Sequence, residues 1–211
     1  NAINWLDGLD GLASGISTII SIGLFIIFVS LNKTELILLM AILSGSTVGF
    51  IRYNFYPAKI LMGDGGSYLL GSNLAILSIY GLSNVELTNI MAYNSDRNLN
   101  ILPLHIIILL FIVPIVDMLQ VLIARIINGK SPFMPDRRHI HHKLLDSGLS
   151  QRYTVIILYA ISQFGVSISL YFIDVQGKII YICLSIIFLI LSALYCINMK
   201  KQLDNKYNKQ T

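Results

Sequence analysis

Charge is what this sequence has least of. Only 12% of its 211 residues are Asp, Glu, Lys or Arg, while 55% are hydrophobic. A soluble domain carries roughly 25% charged residues. Half that share, with a mean hydropathy of +0.72, excludes an ordinary water-soluble globule and predicts an integral membrane protein. Cysteine is almost absent. Cys183 and Cys196 share the last apolar run, without metal-ligand spacing, which excludes a disulfide framework. They read as small apolar membrane residues. There is no signal peptide and no initiator Met, and nowhere do two aspartates stand side by side.

What the chain has instead is long uncharged runs, at residues 11–31, 36–51, 65–82, 101–116, 153–173 and 179–199. A bilayer crossing takes about 17–25 apolar residues. The runs therefore predict an all-α, polytopic membrane bundle of about six transmembrane helices, the fourth extending to about residue 124. The second run is short and carries Gly45 and Gly49, which read as helix-packing small residues. Residues 1–199 form the membrane domain on this reading, and residues 200–211 form a polar, disordered cytoplasmic tail.

The formal charge of +4 raises nucleic acid as a partner, but its distribution argues against it. With residues 1–12 on the inside and the runs alternating, twelve of the fifteen basic residues fall inside, against Lys33, Arg97 and Lys178 outside. That is the positive-inside pattern of a plasma-membrane protein. Every cluster of Asp, Asn, His and Arg falls on the same inside face.

Three clusters carry chemistry. In NAINWLDGLDGLA, residues 1–13, Asn1, Asn4, Asp7 and Asp10 recur at spacing three. On a helix they would lie near one face, loosened by Gly8 and Gly11. A polar helix cap explains one or two of them. Four polar groups at the edge of a membrane-length segment point to a site. In GDGGS, residues 63–67, Asp64 sits among flexible backbone N–H groups that suit a phosphate, and its carboxylate suits Mg²⁺. A turn with an N-cap is the plainer alternative. In RRHIHHKLL, residues 137–145, Arg137, Arg138, His139, His141 and His142 suit phosphates or proton transfer. A zinc site and a solvated basic loop on lipid headgroups are the rivals. Asp117 lies within the fourth run. An intramembrane carboxylate is a functional candidate by default, and a structural pair with a neighbouring helix fits equally. His105 reads as an interfacial residue.

Together these give an inside-facing site with carboxylates, a glycine-rich backbone and an Arg/His group. The simplest chemistry there joins a soluble phosphorylated donor to a lipid-borne acceptor, since phosphoryl transfer asks mainly for positioning and charge neutralisation. NAINWLDGLDGLA, NFYPAKILMGDGGS and RRHIHHKLL, in that order over residues 1 to about 152, resemble the polyprenyl-phosphate N-acetylhexosamine-1-phosphate transferases (glycosyltransferase family 4). The third motif looks like the branch that uses UDP-N-acetylglucosamine. It looks less like the phospho-N-acetylmuramoyl-pentapeptide transferases, whose three histidines are consecutive where Ile140 interrupts them here.

The resemblance implies transfer of N-acetylglucosamine 1-phosphate from UDP-GlcNAc to undecaprenyl phosphate, releasing UMP and starting a cell-envelope glycan. It implies Mg²⁺, with Mn²⁺ as a substitute, and membrane lipid as the setting; a homo-oligomer stays open. By position, Asp64 would be the Mg²⁺ ligand, with Asn4 and Asp7 as further ligands. Asp64, Asp7, Asp10, His141 and His142 would be catalytic. Asn1, Asn4, Asn54, Arg137, Arg138 and His139 would bind the substrate. Leu61 stands where the pentapeptide-transferase branch tends to have an aromatic residue for uracil.

The family's Asp-Asp pair on an earlier loop is missing, and so are several of its N-terminal helices. The chain begins inside a motif, which predicts a fragment of a longer protein. A transporter, with polar groups near the midplane, and a degenerate homologue are the rival classes. The family reading predicts that the purified 211-residue chain by itself releases no UMP from UDP-GlcNAc in the presence of Mg²⁺ and undecaprenyl phosphate. Measurable release would overturn that.

Overall fold

The computed structural model describes residues 1–83, 104–129, 131 and 138–207. Within them the chain is helical, without a strand: α1 (Ala2–Leu6), α2 (Leu12–Ser30), α3 (Thr34–Asn54), α4 (Gly63–Leu82), α5 (Leu104–Leu110), α6 (Ile112–Ile127), α7 (Ile140–Asp146), α8 (Gln151–Phe172) and α9 (Lys178–Tyr207). This is the all-α bundle expected of a multi-pass membrane protein.

Its axis is α2. Leu12, Ile16, Ile20, Leu24 and Ile27 are fully buried, and so are Ser14, Ser17 and Ser21, so the helix is covered over most of its surface, with Ile22 and Val29 left exposed. Helices α1, α3, α4 and α8 pack around it. Lipid tails are as apolar as leucine, so burial alone does not drive helices together in a bilayer; close backbone approach and internal hydrogen bonds do. Both are present. Gly15 lies directly under the Tyr159 ring and Gly23 under Val166, and the Tyr159 hydroxyl donates to the Gly11 carbonyl. Thr18 and Ser21 return their hydroxyls to carbonyls of their own helix, at 2.8 and 2.9 Å. At the rim, α3 and α9 have only 17% and 11% of their apolar windows buried, against 72% for α2. Their remaining leucines and isoleucines are the lipid-facing surface.

Among the described residues four helices, α2, α3, α8 and α9, are long and apolar enough to cross a membrane, or five if α5 and α6 make one span. The difference from about six lies in two runs. The fourth run is bent by 88° between α5 and α6. Phe111 interrupts the helix there, and Pro114 has no N–H to return to the Leu110 carbonyl. The third run, α4, falls short because Asp64, Ser67, Ser72 and Asn73 dilute it. It nevertheless runs alongside α2. Ser67, Leu70, Leu74 and Ser78 form its buried stripe. Its far end is tied to the α2–α3 turn by Lys33, whose ammonium donates to the Gly81 carbonyl at 2.6 Å.

Two further expectations change. The polar tail was expected to be disordered from residue 200, but α9 continues through Tyr207. Gly45 and Gly49 have nothing within 4 Å of where a Cβ would stand, so they do not pack a helix against α3. The two short turns between α2 and α3 and between α8 and α9 form where expected, each through a residue in the left-handed region, Asn32 (φ 54°) and Asp174 (φ 62°).

The contrast among glycines is testable. A Cβ on Gly165 would collide with the Leu109 carbonyl, which is backbone and cannot step aside. Gly165→Ala is expected to destabilise the detergent-solubilised protein by about 1–3 kcal/mol, lowering its thermal midpoint. Gly49→Ala should leave the midpoint unchanged or slightly raised, because alanine favours the helix and meets no neighbour. Equal effects would refute this packing.

Candidate functional site

The first motif does not form the continuous helix that its spacing of three allows. α1 ends at Leu6, Asp7 caps it, and the chain turns through Gly8 and Gly11, the latter at φ 80°, before α2 begins. The turn spreads Asn1, Asn4, Asp7 and Asp10 instead of aligning them. Asn4 and Asp7 face α4. Asn4 Nδ2 donates to Asp64 Oδ1 and meets Ser67 Oγ, both at 2.9 Å. Asp10 turns to the loop after α3 and accepts from the Ala58 amide at 3.0 Å. Asn1, the first residue, is exposed and makes no capping bond.

Asp7 and Asp64 form the carboxylate wall. Burial pushes the Asp7 carboxyl up to about 6; the Gly63 amide opposes that, and the charge of Asp64 adds to it. Two carboxylates that repel each other, beside an amide and a hydroxyl, make a donor set that a hard divalent cation would neutralise. Among the described residues no three His, Cys, Asp or Glu side chains converge on one metal position. An ion held here would therefore keep much of its water, as Mg²⁺ commonly does. The same observation gives the histidine cluster no support as a zinc site.

The histidine wall comes from α7 and the residue before it. The His139 and His141 rings are stacked with centroids 5.5 Å apart, and His142 lies 4.4 Å from His141. Trp5 of α1 meets the His139 ring edge-on at 5.9 Å, and the Arg125 guanidinium of α6 covers the other part of Trp5 at 5.0 Å. His141 packs onto the bare backbone of Gly8, where a Cβ would stand only 2.5 Å from its Nε2. The glycine between Asp7 and Leu9 is what lets the histidine wall reach the carboxylate wall. His139 is itself held by Asp117, with Nδ1 and Oδ2 2.7 Å apart.

The two walls thus meet on α1 and the turn after it, which touch α4 through Asn4 and Asp7 and the α7 segment through Trp5 and Gly8. Asp64, partly exposed His142 and partly exposed Arg138 open outward. Three of the expected site residues do not: Asn54, His141, and His139, which is 8% exposed and held by Asp117. Asn54 is 2% exposed; its amide donates to the Ile60 carbonyl at 3.0 Å and accepts from Ser14 at 2.7 Å, so it pins the loop after α3 to α2. His141 is 1% exposed and serves here as packing between its neighbours. Arg137 lies outside the described residues. Leu61 is 78% exposed, and the His105 ring meets Phe172 edge-on. Trp5 was missed. As the one tryptophan, placed between Asn4 and Asp7, it had a signal in its position, but an interfacial belt residue has the same signal.

A multi-pass helical bundle with a carboxylate–histidine site at one end is the class these observations define. Comparison with known proteins narrows it. The family model described as Glycosyl transferase family 4 matches residues 1–82. A "Probable undecaprenyl-phosphate N-acetylglucosaminyl 1-phosphate transferase" of Bacillus subtilis is 38% identical over 191 residues, 90% of this chain and 49% of the relative. A "Decaprenyl-phosphate N-acetylglucosaminephosphotransferase" of Mycobacterium leprae is 35% identical over 82% of this chain and 46% of its own length. A "Phospho-N-acetylmuramoyl-pentapeptide-transferase" of Moorella thermoacetica is 43% identical, but over only 37% of this chain. These similarities place the chain in glycosyl transferase family 4, with the relatives named as polyprenyl-phosphate N-acetylglucosamine 1-phosphate transferases. It spans about half the length of the curated relatives that it matches.

The site carries a pH prediction. Burial first, then the charge of His142, lowers His141 from 6.5 to about 4; Asp117 opposes the shift and His139 adds to it. A depressed histidine is charged more readily in the unfolded chain. Its contribution to stability is therefore complete above about 6.5 and is lost as pH falls towards about 4. Histidine NMR should find His141 neutral at pH 5.5; a ring titrating near 6.5 would refute the buried placement.

Proposed function

We propose that the whole protein transfers N-acetylglucosamine 1-phosphate from UDP-GlcNAc to a polyprenyl phosphate, undecaprenyl phosphate by preference, and releases UMP. The reaction faces the cytoplasm at the bacterial plasma membrane and begins a cell-envelope glycan. The observation that carries the reading is the junction on α1, where one short helix joins a carboxylate wall to a histidine wall at the end of a membrane bundle. The names of the relatives support the reaction type, and the basic loops support the orientation.

In this reaction an oxygen of the polyprenyl phosphate attacks the sugar-side phosphorus of the UDP-sugar. The pyrophosphate P–O bond breaks, and UMP leaves with its electron pair. No proton has to move, so the protein's task is to hold two anionic reactants together. Asp64, Asp7 and the Asn4 side chain would hold a Mg²⁺ ion, which when bound supplies charge neutralisation for the pyrophosphate. Arg138 and His142 stand outward on the other wall, where they offer N–H donors to phosphate oxygens. Asp10 anchors the loop after α3 through the Ala58 amide. Trp5, between His139 and Arg125, backs the histidine wall.

The pentapeptide-transferase reading is the alternative. It is less favoured because that similarity covers little more than a third of the chain, and because His139 and His141 are separated by the partly buried Ile140, which packs on the core.

Membranes carrying the full-length protein are expected to exchange labelled UMP into UDP-GlcNAc, to lose the exchange on chelation of divalent cations and to regain it with Mg²⁺. Asp64→Asn should reduce it by about 100-fold or more. Retained exchange removes Asp64 from the site. Turnover of UDP-N-acetylmuramoyl-pentapeptide in preference to UDP-GlcNAc selects the alternative.

A further inference from the structure

The sequence left Asp117 with two readings, and its surroundings choose between them. Its carboxylate is fully buried on α6, less than two turns beyond the break at Phe111. Oδ2 lies 2.7 Å from His139 Nδ1, and Oδ1 accepts from the Ile140 amide at 2.6 Å. Gln120, three residues on, donates to Asp117 Oδ1 at 3.2 Å and to the Arg138 carbonyl at 3.4 Å, and accepts from Lys143 at 2.9 Å. Arg138 returns a longer contact to the Ala124 carbonyl, at 3.4 Å. Apart from the bond between Asp117 and Gln120 themselves, each of these contacts joins α6 to the segment 138–143. A seven-residue helix cannot hold its own shape; this one is held by a carboxylate and an amide projecting from a membrane helix.

We propose that Asp117 is a positioning residue for the histidine wall. It fixes His139 with the proton on Nδ1, leaves Nε2 as the free ring nitrogen, and seats the start of α7 against α1. Asp117 touches no substrate. Its effect on catalysis rests on the transferase reading above; its hold on His139 does not.

The chemistry explains why a carboxylate is needed. Ionised, it accepts through both oxygens, which here serve the His139 N–H, the Ile140 N–H and Gln120 at once. An asparagine of the same shape has one accepting oxygen. If that oxygen serves Ile140, the asparagine NH₂ points at His139 Nδ1, which can then only accept. The ring proton moves to Nε2. The alternative arrangement leaves the buried Ile140 N–H facing a donor, which is costly. Asp117→Asn thus preserves volume while inverting the tautomer of His139, and a residue that merely filled space would not do that.

The test uses the full-length protein, solubilised and labelled with ¹⁵N-histidine, at a pH above the ordinary histidine range. The His139 signals are assigned by their loss in His139→Gln. Wild type should show His139 protonated at Nδ1, and Asp117→Asn should show it protonated at Nε2. In membranes, Asp117→Asn should slow transfer on the order of 10- to 100-fold, the range for losing a carboxylate that orients a functional histidine. The double variant Asp117→Asn, His139→Gln should be no slower than its worse parent, since the two residues act as a unit. An unchanged tautomer, or losses that multiply, overturns the proposal. If wild type transfers nothing, the transferase reading fails, and the tautomer still decides what holds His139. If Asp117→Asn does not accumulate, Gln120→Ala replaces it. Removing one bond from the same anchor should raise amide exchange across residues 140–146 about fivefold, and unchanged exchange overturns the proposal.

Discussion

A five-residue helix closes one or two backbone hydrogen bonds, far too few to offset the entropy of ordering it. α1 exists because Ile3 and Leu6 are buried in the bundle core, at 3% and 0% exposed. On the opposite side it presents Asn4, Trp5 and Asp7. The candidate site depends on this one burial. Asn4 reaches Asp64 only while Ile3 is seated, and His141 closes onto the next turn only because Gly8 has no side chain to hold it away. Apolar anchoring and polar display alternate over seven residues, so neither can be changed without moving the other.

The bundle was legible because a bilayer imposes length. Uncharged runs of membrane length have little else to be, and α2, α3, α8 and α9 follow them closely. The break at Phe111 was less legible. Hydropathy sums across it, and a proline in an apolar run is compatible with a mild kink as well as with an 88° bend. α4 was legible as a run but not as an ordinary span, since its polar residues dilute its hydropathy while its position beside α2 is set by packing and by Lys33. In the site, the three motifs were visible as composition. Their junction was not, because it is made by Gly8 and Trp5, residue types that have blander explanations. Asn54 shows the converse: its polarity marked it for substrate, while the fold uses both ends of its amide to tie a loop to α2.

Buried polar groups in this bundle fall into two physical kinds. Thr18 and Ser21 of α2 return their hydroxyls to carbonyls of their own turn, a local solution that asks nothing of the rest of the fold. Buried Asp117 and Asn54, and partly buried Asp10, bond instead to groups distant in sequence, the His139 ring, the Ser14 hydroxyl and the Ala58 amide, at 22, 40 and 48 residues' separation. Such bonds are satisfied only when the whole bundle is assembled, and a buried carboxylate without its partners is costly. They therefore favour this arrangement of loops over other compact ones. All three fix segments at the same end of the bundle. That end must display charged and polar groups, so it cannot be held together by apolar packing alone. Directional bonds from buried anchors supply the rigidity there, and towards the far end Lys33 to Gly81, Ser167 to Tyr181 and Ser169 to Ile106 make similar ties.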